Sequence, residues 1–77
     1  MFEEIKQLLI ECANVNEKDI KMDAHLKKDL GIDSLYAVEL TLQLEEHYNI
    51  SIEWEEMHDV VYVKDVVALV EKKVGNK

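Results

Sequence analysis

Ser34 stands between Asp33 and Leu35, just after Gly31 and at the start of an apolar, glutamate-dotted segment. Gly31 can take a positive φ at little steric cost and Asp33 is a favourable N-cap, so Ser34 is expected in the first turn of a helix, its hydroxyl outward. That turn leaves backbone N–H groups without intrahelical partners and carries about half a positive charge from the aligned peptide dipoles. A phosphodiester borne on Ser34 would therefore stand where an anion is welcome. The same tripeptide also serves as a plain helix cap, and three residues do not separate the two readings.

The other reactive side chains give Ser34 no catalytic company. A serine hydroxyl attacks at neutral pH only when a base is held within hydrogen-bonding reach. Nothing around Ser34 resembles a nucleophile elbow, and His25, His47 and His58 are scattered, with His47 expected on an exposed helix face. Catalysis is not expected. Cys12 falls on the stripe of Phe2, Ile5 and Leu9 and reads as a small core residue; a single cysteine forms no internal disulfide, which agrees with a reducing compartment. No D-x-[DN]-x-[DN]-G-x₅-E loop occurs, so a calcium sensor is not supported, and Cys12 and the histidines are not spaced as a metal site. No metal is expected.

These residues must be positioned by helices. Phe2, Ile5, Leu8, Leu9 and Cys12 share one face at helical spacing, which predicts helix one from Phe2 to about Ala13. From 14 to 33 no period holds, and a long connection is expected, pinned by Val15, Ile20, Met22, Leu26 and Leu30 and holding a short turn. Helix two is expected over Ser34 to Tyr48, ended by Asn49, which tolerates the left-handed conformation of a helix exit. Trp54 to Asp59 reads as a short third helix and Val63 to Val74 as the last long one, with Lys72 and Lys73 where the dipole favours cations. The rival reading makes Ile50-Ser51-Ile52 and Val60 to Val63 a pair of short strands.

At about 100° per residue, Ala37, Leu40, Leu44 and Tyr48 make one face of helix two, and Leu35, Val38 and Leu42 make a second beside Ser34. One face suffices for a core. The second is either a wider buried stripe or, bordered by Glu39 and Glu46 with Glu45 continuing its line, an apolar docking surface with a charged rim.

Composition sets the class. The 77 residues leave room for a single domain over 1–77, and no run of the 48% apolar residues approaches the ~18 needed to span a membrane. No leader pattern is present, so a cytoplasmic protein without membrane insertion is expected. Nine basic residues against 17 acidic give a formal charge of −8. Nucleic acid is excluded as a partner, because phosphate binding depends on Lys and Arg; the charge favours partners with basic patches, and it also serves plain solvation.

From Asp29 to Ile50 the chain reads D-L-G-I-D-S-L-Y-A-V-E-L-T-L-Q-L-E-E-H-Y-N-I, and this resembles the acyl carrier protein family, a likeness that extends through Ile52, Glu55, Glu56, Val63 and Asp65. The resemblance implies an all-α fold, a small antiparallel four-helix bundle with a long loop between helices one and two and a short third helix. It implies a non-enzymatic, stand-alone carrier, a monomer, whose Ser34 bears 4'-phosphopantetheine added by a carrier-protein phosphopantetheinyl transferase. Asp33 would contact that transferase or its metal, and Asp29 would help. The arm's thiol would hold acyl groups as thioesters for acyl-transferring and chain-elongating enzymes, with fatty acid synthesis the first pathway and a polyketide or other specialised product the second. Leu35, Val38, Glu39, Leu42, Glu45 and Glu46 would form the docking face. The acyl chain would enter near Leu40, Leu44, Ile52, Val60 and Leu69. The chain departs from the family where the usual proline after the I-x-I segment is Glu53, followed by Trp54, and at Tyr36. A protein-interaction module, with Ser34 as a cap or a phosphorylation site, is the competing class.

Overall fold

Apolar stripes at helical spacing become four helices. In the computed structural model, which describes residues 2–75, α1 spans Phe2–Ala13, α2 Ser34–Tyr48, α3 Trp54–His58 and α4 Val63–Gly75. The expected bundle and its helix limits match to within a residue at each end. Ile5 and Leu9 of α1, Leu40 and Leu44 of α2, and Val63, Val66 and Val70 of α4 are fully buried and form the core. No strand pair forms among the described residues. The β-branched run before α4 gives only an isolated antiparallel bridge between Tyr62 and His25.

The connection from α1 to α2 is long, yet many of its backbone N–H groups are paired, most of all over residues 24–32. A 3₁₀ turn over Glu17–Asp19 is capped by Asn16, whose side chain accepts from Lys18 N. Further on, Leu26 N donates to Val61 O (2.9 Å), Val63 N to Ala24 O (3.0 Å) and Lys64 N to Met22 O (2.8 Å). Three of the expected anchors, Ile20, Leu26 and Leu30, are buried, together with Ala24 and Ile32. Val15 is half-buried, whereas Met22 is exposed and contributes its carbonyl in place of its side chain. The stitching clamps residues 22–26 against the start of α4.

Two capping arrangements fix the chain beyond α2. Asn49 takes the left-handed conformation (φ 54°, ψ 52°) and its N–H returns to Glu45 O, while Glu45 Oε2 accepts from Ile52 N at 2.9 Å. With five residues, α3 is too short to persist alone. It is held by burial of Met57 and by Glu56, whose Oε1 accepts from Glu53 N (2.9 Å) and pairs with Lys73 Nζ of α4 (2.7 Å). A proline at position 53 would bring no N–H; Glu53 does, and Glu56 satisfies it.

Candidate functional site

The approach to Ser34 is built by three local interactions. Gly31 has φ +68°, and a Cβ there would meet nothing within 4 Å, so the glycine serves the backbone conformation and not a close approach. Its N–H donates to Lys27 O (3.1 Å) and Ile32 N donates to Leu26 O (2.9 Å), folding the chain back before the helix. Asp33 is extended, and its Oδ1 accepts from both Leu35 N (3.1 Å) and Tyr36 N (3.2 Å). Ser34 is the first residue of α2 and is exposed, as its spacing predicts.

That cap changes the electrostatics expected from sequence. Two of the first-turn donors are taken by Asp33, and Ala37 N bonds Asp33 O (2.8 Å). Ser34 N is left without an acceptor among the described residues, and Ser34 Oγ makes no hydrogen bond among them either. His25 Nδ1 accepts from Lys27 N (3.2 Å) and Lys28 N (3.0 Å), so this imidazole nitrogen is engaged by backbone.

A cleft of about 520 Å³ opens beside Ser34. Leu26, Ile32, Leu40 and Met57 provide its buried wall, and Asp33, Ser34, Lys27 and Trp54 its exposed edge. His25 and His58 line it too, with His58 set edge-to-face against Trp54 at 5.5 Å between ring centres. Of the residues expected around an acyl chain, Leu40 and Val60 line this cleft. Leu44 and Ile52 are buried elsewhere in the core, and Leu69 is a half-buried residue packed against it. Ile32 and Met57 carry no periodic signal, since one lies in the irregular connection and the other in a five-residue helix. Trp54 stood out in the sequence only as an unusual residue.

The second face of α2 is open. Leu35 is 74%, Leu42 60% and Val38 41% exposed, an uncommon display of aliphatic side chains on one helix, and Glu39 and Glu46 are exposed beside them. Glu45 differs: it is half-buried and holds Ile52 N. Cys12 is half-buried against α2, its Sγ 3.6 Å from Tyr36 O, and burial followed by the nearby Glu39 charge raises its pKa, which disfavours the reactive thiolate. Among the described residues no group of three or more His, Cys, Asp and Glu could hold a metal ion.

Comparison with known proteins places this arrangement. Residues 3–70 match the family model described as "Phosphopantetheine attachment site". The acyl carrier protein of Wolinella succinogenes is 42% identical over 71 residues, covering 92% of this chain and 93% of its own. That of Helicobacter pylori is also 42% identical over 71 residues, covering 92% and 91%. A solved structure assigned as an acyl carrier protein, from Mycobacterium tuberculosis, superposes with a TM-score of 0.86 at 27% identity, covering 92% of this chain and 95% of the other.

Proposed function

The chain belongs to the acyl carrier protein family, and on that premise we propose that it is a stand-alone carrier, with Ser34 as the attachment point for 4'-phosphopantetheine and fatty acid synthesis as its pathway. The family's group is covalent 4'-phosphopantetheine, and when bound it supplies a thiol that holds an acyl group as a thioester. The observation that carries the reading is an exposed serine hydroxyl, held at the head of α2 by the Asp33 cap, on the edge of an apolar-walled cleft.

The residues present fit such an arm. Ser34 offers an exposed oxygen with no internal hydrogen bond among the described residues. Burial of roughly 0.8 kcal/mol per CH₂ favours moving an attached apolar chain off the solvent side and onto Leu26, Ile32, Leu40 and Met57. Leu35, Val38 and Leu42, rimmed by Glu39 and Glu46, suit docking by the carrier-protein transferase and by acyl-transferring and chain-elongating enzymes that present basic patches. Asp33 would meet the transferase. No described helix is long and apolar enough to cross a membrane. A cytoplasmic, monomeric carrier is part of the same proposal and follows from the family resemblance alone.

A second reading, a carrier dedicated to a polyketide or other specialised product, rests on Tyr36, on Trp54 and on Glu53 in the place of the usual proline, with Trp54 on the edge of the cleft. Intact mass after incubation with coenzyme A and a broad-range carrier-protein transferase tests the shared core of both. The protein should gain one phosphopantetheine and Ser34→Ala none. A wild-type protein that stays bare would leave a helical interaction module as the function, and mass spectrometry of the native acylated protein would separate the two pathways.

A further inference from the structure

Resting on the reading of Ser34 as the attachment point, we infer that Lys27 is the positioning residue for the arm, its ammonium pairing with the phosphodiester oxygens and drawing the arm over the cleft. The need for a cation follows from the cap. An anion on Ser34 would lie one residue from the Asp33 carboxylate, while the N–H groups of Leu35 and Tyr36 that would otherwise receive it are already bonded to Asp33 Oδ1. Only Ser34 N remains open in that turn among the described residues. The helix end is therefore a weaker anion site than its position suggests.

Lys27 supplies what the cap removes. It lines the same cleft as Ser34 and Asp33, and among that lining it is the one ammonium, on a protein with 17 acidic and nine basic residues. Its ammonium makes no ion pair among the described residues, in contrast to Lys6, paired with Glu3 and Glu17, and Lys73, paired with Glu56. Its backbone is fixed at both ends: Lys27 N donates to His25 Nδ1 and Lys27 O accepts from Gly31 N, three residues before Ser34. A lysine sprung from so constrained a turn loses less freedom on pairing than one on a loose loop. Lys28 shares the turn but does not line the cleft.

The test uses full-length protein loaded from coenzyme A, with a free thiol and no acyl cargo. The ³¹P resonance of the loaded protein at low salt should be displaced from that of the same phosphodiester in the urea-unfolded protein. Lys27→Met should abolish most of that displacement, Lys27→Arg should restore it, and Lys28→Met should leave it in place, all with unchanged melting temperature. Fluorescence of Trp54, the single tryptophan, gives a second readout: the change between apo and loaded protein should be lost with Lys27→Met and kept with Lys28→Met. A loaded wild-type protein whose ³¹P signal matches the unfolded state, or is unmoved by Lys27→Met, overturns the assignment while leaving Ser34 as the attachment point. A Lys27 effect seen only after loading a carboxylate-ended acyl group also overturns it, because the lysine would then serve the cargo. Failure of loading removes the reading of Ser34 and this assignment together.

Discussion

Asp33 caps α2, and the transferase contact proposed for it is separable from that cap by small substitutions. Its Oδ1 caps Leu35 N and Tyr36 N, and loss of such a cap costs about 1 kcal/mol. Asp33→Ala should therefore lower stability by that amount in urea titrations and also slow transferase loading. Asp33→Asn keeps an oxygen for the cap and removes the charge, so stability should hold to within a few tenths of a kcal/mol while loading slows. Equal loading rates for Asp33→Asn and wild type would assign Asp33 to the cap alone. The serine, its cap and the glycine before them were legible in the sequence because each acts over two or three residues. What the sequence left open was the balance: the cap was legible, but that its single Oδ1 takes both Leu35 N and Tyr36 N, leaving only Ser34 N open in that turn among the described residues, is seen only in the structure. Lys27 and Trp54 line one cleft across 27 positions of chain, and the bonds from residues 22–26 to residues 61–64 that hold the connection there are contacts that no local pattern announces.

Two leucines two residues apart on α2 are opposite in kind. Leu44 is fully buried and Leu42 is 60% exposed, so Leu44→Ala should cost about 2–5 kcal/mol and Leu42→Ala no more than ~0.5 kcal/mol. Affinity for a partner enzyme should follow the reverse order, with Leu42→Ala and Glu39→Lys weakening association in well-folded protein; unchanged binding by both would remove α2 as the docking face. Periodicity sufficed for α1, α2 and α4, whose faces are long enough to average. For α3 it did not, because five residues hold by tertiary contacts. Its hold on α4 is partly ionic: the Lys73 ammonium, and then the Glu53 N–H, keep the Glu56 carboxyl below its usual pKa. A folded-state pKa below the unfolded one gives stability that is full above the unfolded value and fades as pH falls through the folded value. The melting temperature of Glu56→Gln should accordingly lie below wild type at neutral pH and converge with it in acid. A gap that persists below the carboxylate range would mean that Glu56 acts through hydrogen bonding alone.

At the scale of the molecule, charge sets two responses of opposite sign. Within principal extents of 32 × 22 × 19 Å the chain holds a formal charge of −8, and the ion pairs at Lys6 and Lys73 offset few of the 17 acids. The Debye length falls from about 30 Å at 0.01 M to about 10 Å at 0.1 M salt, so repulsion that spans the whole molecule in dilute buffer is confined to near neighbours at moderate ionic strength. Relief of self-repulsion should outweigh the screening of exposed pairs, which contribute at most about 1 kcal/mol each. Salt should then raise the melting temperature, by ~4–8 °C for each kcal/mol gained in a domain of this size. Magnesium, which screens more strongly than sodium at equal concentration, should raise the melting temperature further. The same screening should weaken docking to a basic partner, since association depends on the field that destabilises the free protein. Calorimetry and partner binding across one salt series therefore check a single cause from two sides. Melting that stays flat while binding weakens would confine the electrostatics to the rim of α2 and remove global repulsion as a term in stability.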